Sequence, residues 1–131
     1  MQTIEQIDQQ NTAFRSNDLT VATETVEPGV VVVHVRGEVD VRSADALRQC
    51  LDTAVQSRDR LVVDFTEVTF LATVGLTCLI ELSEATARAE LPWTLATDVR
   101  PVLRALELTG CLERMTVRPT LEAATQAVLA M

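Results

Sequence analysis

Apolar positions along the chain change period several times, and each change marks an element. Between Leu19 and Val26 they alternate as in a half-buried strand. Glu27-Pro28-Gly29 then carries turn residues, and Val30 to Val35 resumes as a second strand. The two runs predict an antiparallel hairpin. Side chains alternate along a strand, so Val31, Val33 and Val35 share one face while Val30, Val32 and His34 share the other. Gly37-Glu38-Val39-Asp40 ends the strand. Ser43 suits an N-cap with Asp45 in the first turn, and Leu47, Cys50, Leu51, Ala54 and Val55 recur at i, i+3, i+4, i+7 and i+8, an amphipathic helix.

The longest apolar stretch, LVVDFTEVTFLATVGLTCLIEL, runs from Leu61 to Leu82. Leu61-Val62-Val63 with Phe65 reads as a covered strand, whereas Leu76, Leu79, Ile80 and Ser83 stand at helical spacing. The period therefore changes between Phe70 and Gly75, and a helix opens at Thr73-Val74-Gly75. Leu91 to Thr97 makes another strand, entered through Pro92. Asp98 is placed to cap a helix that tolerates Pro101 in its first turn, with Val102, Leu103 and Leu106 as its buried stripe and Gly110 at its end. Met115-Thr116-Val117 is a short last strand, and Thr120 with Glu122 starts a final helix carrying Leu121, Ala124 and Val128.

The predicted order is ββαβαβαβα. After the hairpin, strands alternate with helices, which requires parallel pairing through right-handed crossovers. The expectation is a single α/β domain over residues 19–131, with a mixed, mostly parallel sheet, an N-terminal antiparallel hairpin and flanking helices. Residues 1–18 are polar, with a weak helical stripe of Ile4, Ile7 and Phe14. They read as an N-terminal extension, either a mobile tail or a docking or dimerising helix.

Composition narrows the function. Hydrophobic residues make up 47% of the chain, enough for a core, but only Phe14, Phe65, Phe70 and Trp93 are aromatic, so that core is aliphatic. The net charge of −8 argues against nucleic acid and anionic membrane as partners. No basic residue precedes Arg15 and no apolar run opens the chain, so neither a signal peptide nor a membrane span is expected there. Cys50, Cys78 and Cys111 are odd in number and lack metal-ligand spacing, which points to a reducing cytoplasm and to no metal. Cys50 lies on the apolar stripe of its helix. There is no glycine-rich phosphate loop and no Cys/His pairing, so neither an enzyme nor a cofactor is expected. The lone His34 reads as a strand residue on the less covered face.

GEVD after the second strand, DFTEVTFL before the main helix and the later VLRALELTGCL together resemble the STAS family, the bacterial anti-sigma factor antagonists, in register over residues 19–131. In that family the turn before the main helix typically reads Asp-Ser-Ser-Gly or Asp-Ser-Thr-Gly. Its first serine is phosphorylated by an anti-sigma factor kinase that otherwise binds the same surface. The aligned residues here are Ala72-Thr73-Val74-Gly75: Thr73 falls on the phosphoacceptor position, Ala72 replaces the acid and Val74 the second hydroxyl. The resemblance implies a cytoplasmic module whose partner is an anti-sigma factor of the serine/threonine-kinase type. It also implies a partner surface of Asp40, Arg42, Ser43, Glu67, Ala72, Thr73, Val74 and Gly75, flanked by Asp64. The residues themselves leave Thr73 open between phosphoacceptor and helix cap. The alternatives are a non-phosphorylatable scaffold or transporter-associated module, and a thiol redox sensor using Cys78 and Cys111. A homo-oligomer is left open.

Overall fold

The computed structural model describes the backbone of residues 2–6 and 12–16 and the whole of residues 18–131. One sheet holds seven strands in chain order: β1 (Gln2–Gln6), β2 (Thr12–Ser16), β3 (Leu19–Glu27), β4 (Val30–Val39), β5 (Arg60–Leu71), β6 (Trp93–Ala96) and β7 (Val117–Arg118). Pairing is antiparallel from β1 to β4 and parallel from β4 to β7. The parallel half needs crossovers, supplied by α1 (Ala44–Gln56), α2 (Thr73–Ala89) and α3 (Arg100–Leu108). Strand order follows chain order, so every right-handed crossover steps the same way and lays its helix on the same face. A last helix, α4 (Leu121–Leu129), returns over the opposite face.

From Leu19 onward the element order is the expected ββαβαβαβα. The expected faces hold as well. Val31, Val33 and Val35 join Leu61, Val63 and Phe65 under α1, α2 and α3, whereas Val30, Val32 and Val62 pack with Ala124 and Val128 of α4. Thr94, fully buried, donates its hydroxyl to Ala124 O at 2.9 Å and fastens α4 to the sheet. Among the described residues Phe65 is the one aromatic ring that is fully buried, and the core is aliphatic.

Several local expectations give way. Where a tail or helix was expected before Leu19, residues 2–6 and 12–16 are strands that extend the sheet past β3; Ile7 and the other remaining positions lie outside the described residues. α3 starts at Arg100 with Val99, not Asp98, at its N-cap, because the Thr97 hydroxyl accepts the Val99 N–H at 3.2 Å. Leu103 is only half-buried, so Val102 and Leu106 alone form the buried stripe of α3. The last strand is Val117–Arg118, and a 3-10 turn over Cys111–Arg114 precedes it. The Thr120 hydroxyl caps α4 by accepting from Ala123 N at 3.0 Å.

Candidate functional site

The C-terminal ends of β4 and β5 form one edge, and both lead into helices that start there. The strands are in parallel register up to Val39 opposite Leu71, and Ala72 N donates to Val39 O at 2.9 Å. The loop from Asp40 to Ser43 therefore lies beside the turn from Ala72 to Gly75. Adjacency in the sheet brings the expected site residues together from positions thirty apart in the chain.

Asp40 organises the first half. Its Oδ1 accepts from Arg42 N at 2.9 Å and Ser43 N at 3.2 Å, and its Oδ2 from the Arg42 guanidinium at 3.2 Å. Desolvation opposes the charge, but the hydrogen bonds from Arg42 and Ser43 outweigh it and hold the carboxyl below its ordinary value. Arg42 also reaches Asp18 at 3.6 Å. Ser43 stands at the N-cap of α1, yet its hydroxyl does not cap the helix. It accepts from Asp40 N at 3.0 Å and donates to Glu38 O at 3.1 Å. At 1% exposure Ser43 shapes the loop from inside and offers no surface to a partner.

The second half is the start of α2. Ala72 occupies the N-cap with extended backbone (φ −75°, ψ 167°) and has no side-chain acceptor to offer. Thr73 is the first helical residue and is exposed; among the described residues its hydroxyl has no partner. The reading of Thr73 as the helix cap is thus corrected, since the cap lies one position earlier. Val74 is half-buried and packs against the core, and Gly75 is buried. A Cβ on Gly75 would stand 2.3 Å from Leu71 Cδ1 and 2.9 Å from Val39 Cγ1, so glycine lets α2 close onto the strand ends.

Two apolar side chains in this region went unnoticed in the sequence. Val41 is 81% exposed and Phe70 is 49% exposed. The β4–β5 register shifts between Gly37 and Glu38, where Val68 and Phe70 are the respective partners. The extra residue, Thr69, leaves Val68 and Leu71 on the core side and turns Phe70 outward. The signal was available: Val41 is a large apolar residue in a turn, and Phe70 is an aromatic at the end of its strand. Thr73, Val41, Arg42, Glu67 and Phe70 are exposed side chains of this edge, whereas Ser43 and Gly75 lie buried beneath them.

Glu67 is exposed and paired with Arg36, Nε to Oε2 at 2.8 Å. Asp64 belongs to a separate cluster on the sheet face beyond α4. His34 Nδ1 bonds Asp64 Oδ2 at 2.8 Å and Nε2 bonds Glu24 Oε1 at 3.3 Å, so a carboxylate faces each ring nitrogen. The Asp64 bond is the main force raising the His34 pKa, against desolvation. Burial works against the Asp64 charge, but His34 and the Thr66 hydroxyl and amide reverse it and lower the carboxyl.

The three cysteines are buried free thiols. Burial pushes Cys50 up to about 12 and also raises Cys78, whose Sγ lies 3.8 Å from Ala44 O between α1 and α2. Cys111 faces a different space, a small cavity with Ile80 and Met115. Cys50 and Cys78, which burial holds away from the thiolate form, suit packing better than redox chemistry. Among the described residues no three His, Cys, Asp or Glu converge as a metal site would need, and no helix is long and apolar enough to cross a membrane.

A family model described as the STAS domain matches residues 22–124. The chain is 32% identical to a solved anti-sigma factor antagonist from Mycobacterium paratuberculosis, with a TM-score of 0.77 over 85% of this chain and 94% of that one. It is 18% identical to the anti-sigma factor antagonist SpoIIAA in its unphosphorylated form, with a TM-score of 0.70 over 85% of this chain and 97% of that one. The Bacillus cell fate determinant SpoIIAA in its phosphorylated form gives 18% identity and 0.65 over 82% and 98%. The murine anion transporter Slc26a9 in its inward-facing state gives 21% identity and 0.67 over 79% of this chain and 18% of the transporter. At the lower identities the likeness is one of fold. No curated protein matches the chain.

Proposed function

The chain belongs to the STAS domain family, and on that ground we propose that it is an anti-sigma factor antagonist docking its partner at the β4–β5 edge, with Thr73 as the switch. The observation that carries this reading is the exposed Thr73 hydroxyl at the first position of α2, beside the exposed side chains of Val41 and Phe70. The partner is an anti-sigma factor of the serine/threonine-kinase type. Bound by this chain, it releases its sigma factor; by phosphorylating Thr73, it frees itself again. The chain contributes a surface and an acceptor hydroxyl, and the kinase contributes ATP and catalysis.

The electrostatics suit such a switch. Phosphate adds about −1.5 to −2 charges at neutral pH. At a helix N-terminus the dipole and the first-turn amides favour it, so the fold accommodates the modification. Against a desolvated partner the same dianion repels, and ~1.4 kcal/mol already weakens binding tenfold. Val41 and Phe70 supply apolar contact that the phosphate leaves intact, so the modification acts through charge alone.

Incubation with the cognate anti-sigma kinase and ATP, followed by intact mass measurement and calorimetry, tests the reading. One added phosphate, absent from Thr73→Ala, and loss of complex on phosphorylation are expected. A complex that forms but is never phosphorylated favours a second reading, a constitutive scaffold or transporter-associated module, for which the acid-free Ala72 is the motivating observation. No complex with any anti-sigma factor removes the antagonist role.

A further inference from the structure

Three local irregularities meet at the end of the molecule opposite the docking edge. Parallel strands gather their N-terminal ends together, so the β3–β4 turn, the α1–β5 loop and the α2–β6 loop lie side by side. Arg60 N donates to Gly29 O at 2.8 Å, and Leu61 N to Pro92 O at 3.1 Å. Among these loops opens a cavity of about 380 Å³, lined by Gly29, Arg58, Arg60, Glu90, Leu91 and Pro92, with Asp59 at its side. It is open to solvent, with Arg58 and Glu90 exposed at its rim and Asp59 and Arg60 half-buried.

The first two irregularities are backbone conformations. Among the described residues, Arg58 (φ 62°) and Glu90 (φ 54°) are the two non-glycine residues in the left-handed region. Each stands at the end of a helix, α1 or α2, where the chain turns left-handed and glycine is the usual occupant. A Cβ strains that conformation, yet an arginine and a glutamate occupy the two positions, and both border the same cavity. The third irregularity is Arg60. Among the described residues its Nε is the one buried side-chain nitrogen or oxygen without a hydrogen-bond partner. Its terminal nitrogen reaches Met131 O only at 3.5 Å. The Nε is itself closed to solvent, so it is the terminal nitrogens of the fork that Arg60 presents to a guest.

From this convergence we infer that the cavity binds a small anion that also carries hydroxyl groups, a phosphorylated sugar or polyol. The lining is mixed in charge, and that decides the class. Arg58 and Arg60 offer planar forks that match phosphate oxygens. Asp59 and Glu90 are acceptors that suit hydroxyl donors, and Leu91 and Pro92 give the carbon skeleton an apolar wall. A bare anion would face the two carboxylates uncompensated, and a neutral sugar would leave the guanidiniums unanswered. The strain at Arg58 and Glu90 is then the cost of placing those two side chains at the rim, as local rules broken at a functional site would have it. The site is remote from Thr73 and does not depend on the antagonist reading.

Titration of the isotope-labelled chain with ribose 5-phosphate, followed by NMR, tests the inference. Saturable shifts are expected at the amides of Gly29, Arg58 to Leu61 and Ala89 to Leu91, with ribose and inorganic phosphate binding about tenfold or more weakly, a difference of ~1.4 kcal/mol. Arg58→Gly and Glu90→Gly keep the left-handed backbone and relax it. Both should melt at or above the wild-type temperature while binding ribose 5-phosphate several-fold more weakly, the opposite signs that a site maintained against stability predicts. Arg60→Gln, folded by circular dichroism, should lose binding. No saturable shift, shifts centred elsewhere, inorganic phosphate binding as well as the ester, or glycine variants that bind like wild type would each overturn the site.

Discussion

Ala72 and Gly75 bracket Thr73 and act on it by different means. Ala72 has the extended backbone of an N-cap and no side chain to accept a first-turn amide. Ala72→Asp is therefore expected to raise unfolding free energy by ~1 kcal/mol, the usual value of a capping carboxylate, measured by urea titration. The same variant puts a negative charge beside Thr73, so kinase recognition should change with it; a stability equal to wild type would mean the first turn is satisfied in another way. Gly75 acts through space. Its backbone is ordinary for any residue, but a Cβ would lie 2.3 Å from Leu71 Cδ1. Gly75→Ala forces α2 off the strand ends at a cost of about 1–3 kcal/mol, typical of overpacking. Chemical denaturation reads that loss, and since Thr73 moves with the helix, partner affinity should fall too.

At the scale of elements, the β4–α1 turn is held by one carboxylate. Asp40 accepts two backbone amides and the Arg42 side chain, while Ser43 ties the same loop to Glu38. Asp40→Ala should leave β4 and α1 in place but free the amides of Arg42 and Ser43, seen as faster hydrogen exchange at those two positions and weaker docking. Unchanged exchange there would mean that Ser43 alone holds the turn. Asp40 also shows why element ends were harder to read than elements. Periodicity located β3, β4, β5 and all four helices, because each buries a continuous stripe. The ends depend on where nearby hydroxyls and carboxylates turn: Ser43 bonds back to Asp40 and Glu38 instead of capping α1, and Thr97 accepts the Val99 amide while Asp98 caps no amide among the described residues. The strands β1 (QTIEQ) and β2 (TAFRS) carry too few apolar residues for a period-two signal, and pairing makes them strands, β2 against β3 and β1 against β2. For the site, it was the family resemblance that set Asp40 beside Thr73, and the parallel pairing of β4 with β5 is the physical reason the two turns are neighbours. The outward turn of Phe70 depends on a register shift that no single segment displays.

Across the whole molecule, the sheet face that α4 leaves open is closed by charge instead of by packing. His34 on β4 joins Glu24 on β3 to Asp64 on β5, and Asp64 in turn holds Thr66, at the start of the segment that runs through Phe70 to Thr73. The Arg36–Glu67 pair lies further along the same two strands. The antiparallel and parallel halves of the sheet thus meet at one imidazole held between two carboxylates. The sign of its pH dependence follows from the two shifts. His34 is raised above 6.5, so its contribution is complete below that value and is lost as pH rises through the folded-state pKa. Asp64 is lowered below 3.8, so its contribution is complete above that value and is lost only as pH falls through its folded-state pKa. Both are whole between 3.8 and 6.5. The melting temperature of the wild type should therefore exceed that of His34→Gln most in mildly acidic buffer, and the gap should shrink steadily as the medium turns alkaline. A gap that is constant, or that widens with pH, would mean the ring is neutral in the folded chain and that hydrogen bonding without charge joins the two halves.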